Sequence, residues 1–348
     1  MRFIGSKINL LNEIQKVIQD NCVNVKSFCD IFSGTSIVAR FFKKDFEIIS
    51  NDLLHFSFIL QKATIENNNE PAFKNLNRVG IKNPLDFFNR STPKLIDLNS
   101  EPFIFNNYAP NNTHDTSYFS KENALKIDFI RQKINEWKKD KLIDESEYYY
   151  LVACLIEAIP FVSNIAGTYG AYLKHWDKRA FKKIELIPLE VIDNKKQNKS
   201  FNEDSNTLIN NIKGDILYID PPYNARQYLP NYHILETISE YDHPQIYGKT
   251  GLRPYSKVKS NYCIKNKVLS EFSNLIKNAS FKYILVSYSS EGLMSEEEIK
   301  TILLENGIGE TYKIKKIPYR RYKHVKGDVK HNLNEFLFFI TKRECAHD

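Results

Sequence analysis

The chain has 348 residues, 42% of them hydrophobic, so it is long enough to bury one large core or two ordinary ones. Its 49 basic and 42 acidic residues give a net charge of +7, and most of that excess lies in the last hundred residues. The five cysteines form no CxxC pair and no paired Cys/His spacing, which excludes a zinc-finger protein and a disulfide framework. No run of eighteen apolar residues occurs and the N-terminus is amphipathic and becomes polar within a few residues, so we expect a cytoplasmic protein with no metal and no membrane association.

Hydrophobic periodicity predicts alternating helices and strands at the start of the chain. They are a helix at 7–20, a strand at 26–32, a helix at 36–43, a strand at 46–50 and a helix at 54–65. From about 66 to 120 the chain is polar and has no clean period, which is typical of loops and short pieces. Two helices are predicted next, at 121–141 and 145–166, and the apolar centre of the second indicates that it is buried.

The alternation of strands and helices resumes after a polar segment, 193–206, that we interpret as a linker. The later predicted elements are a strand at 215–219, a helix at 231–241, a strand at 281–287, a helix at 295–305 and strands at 311–317 and 334–342. This order predicts an α/β domain formed by residues 1–58 and 195–348. A mostly helical insertion, 59–194, splits it.

Two strand ends in the first part of this domain carry polar groups. An apolar strand ends at Asp30 and is followed by Ser33, Gly34, Thr35 and Ser36, a turn through which a backbone can approach a ligand closely. Alone, this turn is equally typical of a plain strand-to-helix connection, and it is neither GxGxxG nor a Walker loop. The next strand ends near Asp52, where a carboxylate can hold ribose hydroxyls. Together the two ends indicate a ligand of adenosine type.

The segment 216–223, ILYIDPPY, is a buried strand ended by a carboxylate, two prolines and an aromatic ring. Pro221 and Pro222 lack N–H donors and have a fixed φ, so their carbonyls are rigid acceptors beside Asp220. A carboxylate and a carbonyl can accept both hydrogens of an exocyclic amine while Tyr223 stacks on the base that bears it. The simpler interpretation is a strand that a Pro-Pro turn terminates.

Basic residues interleaved with tyrosine form two blocks near the end of the chain. Residues 249–267 contain six Lys or Arg and no acid, and residues 313–330 contain eight against one acid. Such blocks suit the phosphate backbone of a nucleic acid, although a solvated lysine-rich surface would look the same. Candidate nucleic-acid contacts are Arg226, Tyr228, Tyr319, Arg320, Arg321 and Lys323.

The order and spacing of several motifs resemble the D12 class, or Dam-like class, of adenine-specific DNA methyltransferases, which includes restriction-system modification enzymes. The motifs are RFIGSK (2–7), DIFSGTS (30–36), SNDL (50–53), EDS (203–205), DPPY (220–223), NYHILET (231–237) and YILVSYSS (283–290). The resemblance implies a Rossmann-like methyltransferase fold that uses S-adenosyl-L-methionine and methylates a flipped-out adenine in double-stranded DNA. It also implies that the insertion recognises the target.

Position by position, the resemblance implies a set of contacts. The cofactor would be bound by Lys7, by Asp30 with Phe32, Ser33 and Gly34, by Asp52 at its ribose, and by Asp204 with Ser205 at its adenine. The flipped adenine would be held by Asp220, Pro221, Pro222 and Tyr223. One departure is that Ser36 stands where many relatives have a second glycine.

Two other functions are compatible with the same residues. One is a methyltransferase for RNA adenine or for another amino group, and the other is a non-catalytic DNA-specificity subunit on this scaffold. The acid at Asp220 and the large insertion favour DNA adenine. A cognate restriction endonuclease is a candidate partner of such an enzyme.

Overall fold

The computed structural model describes residues 5–111, 116–319 and 333–343. Strands in these ranges form one sheet. They are β1 (Ser27–Asp30), β2 (Glu47–Asn51), β3 (Lys199–Phe201), β4 (Lys213–Ile219), β5 (Ser280–Ser289), β6 (Lys313–Tyr319) and β7 (Leu333–Thr341). The predicted α/β fold is confirmed, because the sheet is mostly parallel and alternates with helices along the chain.

The strand order is β3-β2-β1-β4-β5-β7-β6. The pairs from β3 to β5 are parallel, whereas β7 is antiparallel to both β5 and β6. The order reverses direction between β1 and β4, and ligands of open α/β sheets bind at the carboxyl ends of the strands at such a point. The sheet therefore places its candidate binding edge where β1 and β4 end.

The described residues also form twelve α-helices. They are α1 (Leu11–Asn21), α2 (Ile37–Phe42), α3 (His55–Gln61), α4 (Lys74–Arg78), α5 (Pro84–Arg90), α6 (Phe103–Tyr108), α7 (Lys121–Lys139), α8 (Glu145–Ala158), α9 (Ser205–Leu208), α10 (Leu229–Glu240), α11 (Val268–Asn278) and α12 (Glu296–Asn306). Among the residues described, no helix is both long enough and apolar enough to span a bilayer.

Three predicted elements need correction. The segment 193–206 is not only a linker, since it contains β3 and the start of α9. An edge strand pairs through its backbone, so its polar side chains gave no strand signal. The helix predicted at 145–166 ends at Ala158, because Pro160 cannot continue its hydrogen bonding. Helix α11 was not predicted, although its buried Val268 and Phe272 are spaced as on one helix face.

One compact unit of the chain contains the sheet. It comprises Lys7–Leu53, Lys196–Gln227 and Lys259–Asp348. Its apolar core lies between the sheet and the helices α11 and α12, and the fully buried ring of Phe272 and side chain of Ile284 belong to it. This unit carries the strand ends predicted to bind ligands.

A second compact unit, mostly helical, comprises Met1–Ser6, Leu54–Lys195 and Tyr228–Val258. Glu236 on α10 accepts hydrogen bonds from the backbone N–H groups of His55 and Phe56, which satisfies donors at the start of α3. The segment 228–258 packs with these helices, whereas the sequence division assigned it to 195–348. The assignment of residues 1–58 and 195–348 to catalysis and of residues 59–194 to target recognition stays a prediction.

A buried asparagine organises the loop after α8. The Asn164 side chain donates to the carbonyl oxygens of Ser117 and Leu173, at 2.9 and 3.0 Å, and accepts from the Asp177 N–H at 2.9 Å. An amide side chain is needed here because the loop backbone lacks a helix or strand partner for these groups.

Candidate active site

The carboxyl ends of β1 and β4 bring two acids of the sheet unit to neighbouring positions. Asp30 is the last residue of β1 and pairs in register with Tyr218, two residues before Asp220. Asp30 is almost wholly buried, and the Asp220 side chain keeps 18% of its surface exposed. The pairing of β1 with β4 thus brings the two strand ends together.

Lys7 lies between two carboxylates. Its Nζ is 3.1 Å from Oδ1 of Asp220 and 2.5 Å from Oε1 of Glu335, which is on β7. The same Oε1 accepts a hydrogen bond of 2.9 Å from the Ser287 hydroxyl on β5. Sequence reasoning missed Glu335, although a single acid inside the apolar strand NEFLFFIT was a signal.

The protonation of this cluster follows from burial and charge. Burial opposes the charge of Lys7, but Asp220 and Glu335 outweigh it and raise the pKa of the ammonium above its usual value. Burial raises the pKa of Asp220 to about 7, with Lys7 pulling it down and Glu335 pushing it up. Burial, and then the charge of Asp220, raises the pKa of Asp30 to about 8.

The turn after β1 has two residues in left-handed backbone conformation. Gly34 has a φ of +52°, and its N–H donates to Oδ2 of Asp52 at 2.8 Å. Ser36 has a φ of +61°, a conformation that favours glycine, so this position suits the second glycine that the resemblance implies. Oδ1 of Asp30 and Oγ of Ser36 are buried with no hydrogen-bond partner among the described residues. Buried polar atoms are normally hydrogen-bonded, so these two atoms lack a partner that the described residues do not supply.

The ends of β2 and β3 are tied together beside this turn. The Asn51 side chain donates to the carbonyls of Ile31 and Glu203, at 3.1 and 3.0 Å, and accepts from the Glu203 N–H. Asp204 accepts from two backbone N–H groups and caps α9, so this acid has a structural role. Its predicted contact with the cofactor adenine, together with that of the buried Ser205, stays a prediction.

An aromatic contact that the sequence did not indicate lies next to the turn. The rings of Phe32 and Tyr262 meet edge to face with centroids 5.0 Å apart. The Tyr262 hydroxyl donates to Oδ1 of Asn206 at 2.7 Å, which places Tyr262 at the start of α9. A flat ligand at the ends of β1 and β2 would border on this pair.

The residues after Asp220 form an ordered turn without regular secondary structure. Pro221 is buried, and the Tyr223 carbonyl accepts a hydrogen bond of 2.9 Å from the Leu293 N–H. The partly buried Tyr223 ring packs on the apolar core of the sheet unit. The turn therefore presents Asp220 on a rigid support.

The comparisons with known proteins agree with this geometry. A family model described as the D12 class N6 adenine-specific DNA methyltransferase matches residues 3–302. The chain belongs to this family. The match spans the turn after β1, the acid after β2 and the DPPY segment, so the resemblance in the motifs is confirmed.

Curated relatives of this D12 methyltransferase include restriction-system methylases. The chain is 54% identical to the type II methyltransferase M.FokI of Planomicrobium okeanokoites, covering 98% of this chain and 53% of that protein. It is 43% identical to the modification methylase StsI of Streptococcus sanguinis, with coverages of 99% and 52%. It is 39% identical to the type II methyltransferase M.NlaIII of Neisseria lactamica, with coverages of 98% and 99%. The chain thus spans about half the length of the first two relatives and nearly all of the third.

The structure describes part of the candidate DNA contacts of this D12 methyltransferase. Arg226 is exposed in a loop that a reciprocal pair of hydrogen bonds between Gln227 and Ser260, at 2.9 and 2.8 Å, fastens to the sheet unit. Tyr228 is the first residue of the segment Tyr228–Val258 of the helical unit, and its side chain is partly exposed. Tyr319 is the last residue of β6. Arg320, Arg321 and Lys323 lie outside the described residues.

Proposed function

We propose that this D12 methyltransferase transfers a methyl group from S-adenosyl-L-methionine to the N6 amino group of a flipped-out adenine in double-stranded DNA. We further propose that it is the modification component of a restriction-modification system in the cytoplasm, with a cognate endonuclease as partner. The observation that carries the proposal is the position of Asp220 and Pro221 at the end of β4, beside the turn after β1.

The residues of the sheet unit suit the methyl donor. Oδ1 of Asp30 and Oγ of Ser36 have no hydrogen-bond partner among the described residues, and the carboxyl groups of Asp52 and Asp220 favour a positively charged ligand at this edge. Asp52 would bind the ribose hydroxyls, and the adenine would lie near Phe32 and Ser205. When bound, S-adenosyl-L-methionine would supply an electrophilic methyl group on a positively charged sulfur, and S-adenosyl-L-homocysteine, with a neutral sulfur, would be the product.

Asp220 and the Pro221 carbonyl together orient the substrate amine. The lone pair of this amine is conjugated into the adenine ring, so it is a weak nucleophile. If protein oxygens accept both hydrogens, the nitrogen becomes pyramidal. Its lone pair is then no longer conjugated with the ring and is available to attack the methyl group. Asp220 also stabilises the positive charge that develops on nitrogen, which requires its ionised form, and a proton leaves the nitrogen after transfer. Lys7 favours that ionised form.

DNA contacts complete the proposal. Tyr223 and Tyr319 would stack on or beside the flipped base, and Arg226, Tyr228 and the basic residues Arg320, Arg321 and Lys323 would contact the strands. The helical insertion, 59–194, would recognise the target sequence, since the catalytic end of the sheet reads only one base.

In the test, the purified protein is incubated with double-stranded DNA, single-stranded DNA or RNA, and each product is sequenced to detect N6-methyladenine. We expect product in duplex DNA at one sequence motif. Asp220→Ala should abolish turnover while calorimetry still detects S-adenosyl-L-methionine binding. The matched control is Asp215→Asn, at the opposite end of the same strand, which should retain turnover. Methylation by Asp220→Ala at the wild-type rate, or a product in RNA alone, would refute the proposal.

A further inference from the structure

The ammonium group of Lys7 is shared between Asp220 and Glu335. Both carboxylates lie within ion-pair distance of the same Nζ, at 3.1 and 2.5 Å, and Lys7 itself is only 6% exposed. Glu335 is held in turn by the Ser287 hydroxyl at 2.9 Å. Glu335 thus fixes the position of a cation that contacts the candidate catalytic acid.

The charges around Asp220 come from several elements. Lys7 is the only cation that the described part of the chain places within ion-pair distance of it. Glu335 on β7 opposes its ionisation, and the charge of Asp220 in turn raises the pKa of Asp30 on β1 and of the buried Tyr218 hydroxyl on the same strand. One cation therefore faces three acids in a site largely closed to water, where each charge acts strongly on the others.

We infer that Glu335 is a positioning residue for Asp220. It holds Lys7 between the two carboxylates, so that the ammonium group stabilises ionised Asp220 and still leaves acceptor sites on this carboxylate for the substrate amine. This inference rests on the proposed methyl transfer. It adds a residue from the last strand, 115 positions beyond Asp220, to the residues that support the reaction.

Two physical effects follow from the shared ammonium group. An ammonium that pairs only with Asp220 would compete with the substrate amine for the carboxylate oxygens, because each hydrogen bond to Lys7 uses an acceptor site. The negative charge of Glu335 also offsets part of the attraction between Lys7 and Asp220. Without Glu335, Asp220 would ionise at lower pH but would present fewer free acceptor sites to the amine.

The experiment measures single-turnover methylation of duplex DNA against pH, at saturating S-adenosyl-L-methionine, for wild type and Glu335→Gln. Glutamine keeps the shape and the acceptor oxygen but removes the charge. We expect the midpoint of the acidic limb to move down by about one pH unit and the plateau rate to fall by roughly tenfold. Glu335→Asp, which keeps the charge, should return the midpoint to the wild-type value.

Ser287→Ala is the matched control, since it removes a hydrogen bond to the same Oε1 without changing charge, and its midpoint should stay at the wild-type pH. A lower plateau in Glu335→Gln with an unchanged midpoint would show a merely structural role and overturn the inference. Absence of adenine methylation by the wild type at every pH would instead reject the proposed function.

Discussion

Replacing Lys7 by methionine should move the pH dependence of methylation upward. Methionine has a similar length and no charge, so it removes the ammonium 3.1 Å from Asp220 and leaves Asp220 and Glu335 without their shared cation. At an effective dielectric constant of about 20, attraction at this distance is about 5 kcal/mol, or about four pKa units. Solvent reaching the site and rearrangement reduce this figure, so a shift of about one to three units is expected.

The magnitude can be stated at neutral pH. With a pKa of about 7, half of the wild-type Asp220 is ionised at pH 7. A midpoint between about 8 and 10 would leave roughly a tenth to a thousandth ionised, so turnover by Lys7→Met should fall about 5-fold to 500-fold at pH 7. Because the loss comes from protonation, the rate should recover as the pH rises.

The assay is single-turnover methylation of duplex DNA from pH 6 to about 10, at saturating cofactor so that weaker binding does not enter the rate. Lys7→Arg, which keeps the charge, serves as the control and should retain a midpoint near the wild-type value. A Lys7→Met profile with the wild-type midpoint would refute the coupling between Lys7 and Asp220. A higher Kd for S-adenosyl-L-methionine with that same midpoint would instead support the cofactor contact that the resemblance implies.

Three further changes have defined outcomes. Burial raises the pKa of Asp30 to about 8 from its ordinary 3.8. Between these two pH values the native state keeps a proton that the unfolded chain loses, so the free energy of unfolding of the wild type falls as the pH rises from about 4 to about 8. The free energy of unfolding of Asp30→Asn relative to wild type should therefore increase from pH 5 to pH 8, by at most about 1.4 kcal/mol per unit in urea titrations, and a constant difference would contradict this. Asn164→Ala removes three hydrogen bonds of a buried side chain and should lower the free energy of unfolding by about 2–4 kcal/mol, against less than about 0.5 kcal/mol for Asn274→Ala at an exposed position. Arg320→Ala with Arg321→Ala should weaken DNA binding equally for all sequences and reduce the salt slope by about 0.9 per lost phosphate contact, whereas unchanged affinity at low and high salt would exclude a phosphate role.

Much of the fold could be predicted from local sequence patterns. The strands before Asp30 and Asp220, and the turn that contains Gly34, are contiguous segments whose apolar runs and small residues specify them without reference to the rest of the chain. For the same reason the D12 motifs could be found in order along the sequence. Two features were not predicted. The edge strand β3 was missed because its side chains are polar, and the packing of the segment 228–258 with the helical unit was missed because it depends on distant residues.

The sequence by itself determined which chemical groups stand at the strand ends, because a strand followed by DPPY or by a glycine turn is a local property. Only the tertiary structure decided which distant groups control their charge. Lys7 and Glu335 are 328 residues apart, and they meet because β7 inserts antiparallel between β5 and β6. The contact of Phe32 with Tyr262 likewise depends on how the chain returns to the sheet. Electrostatic and packing partners are set by distance in space, which sequence separation does not reveal.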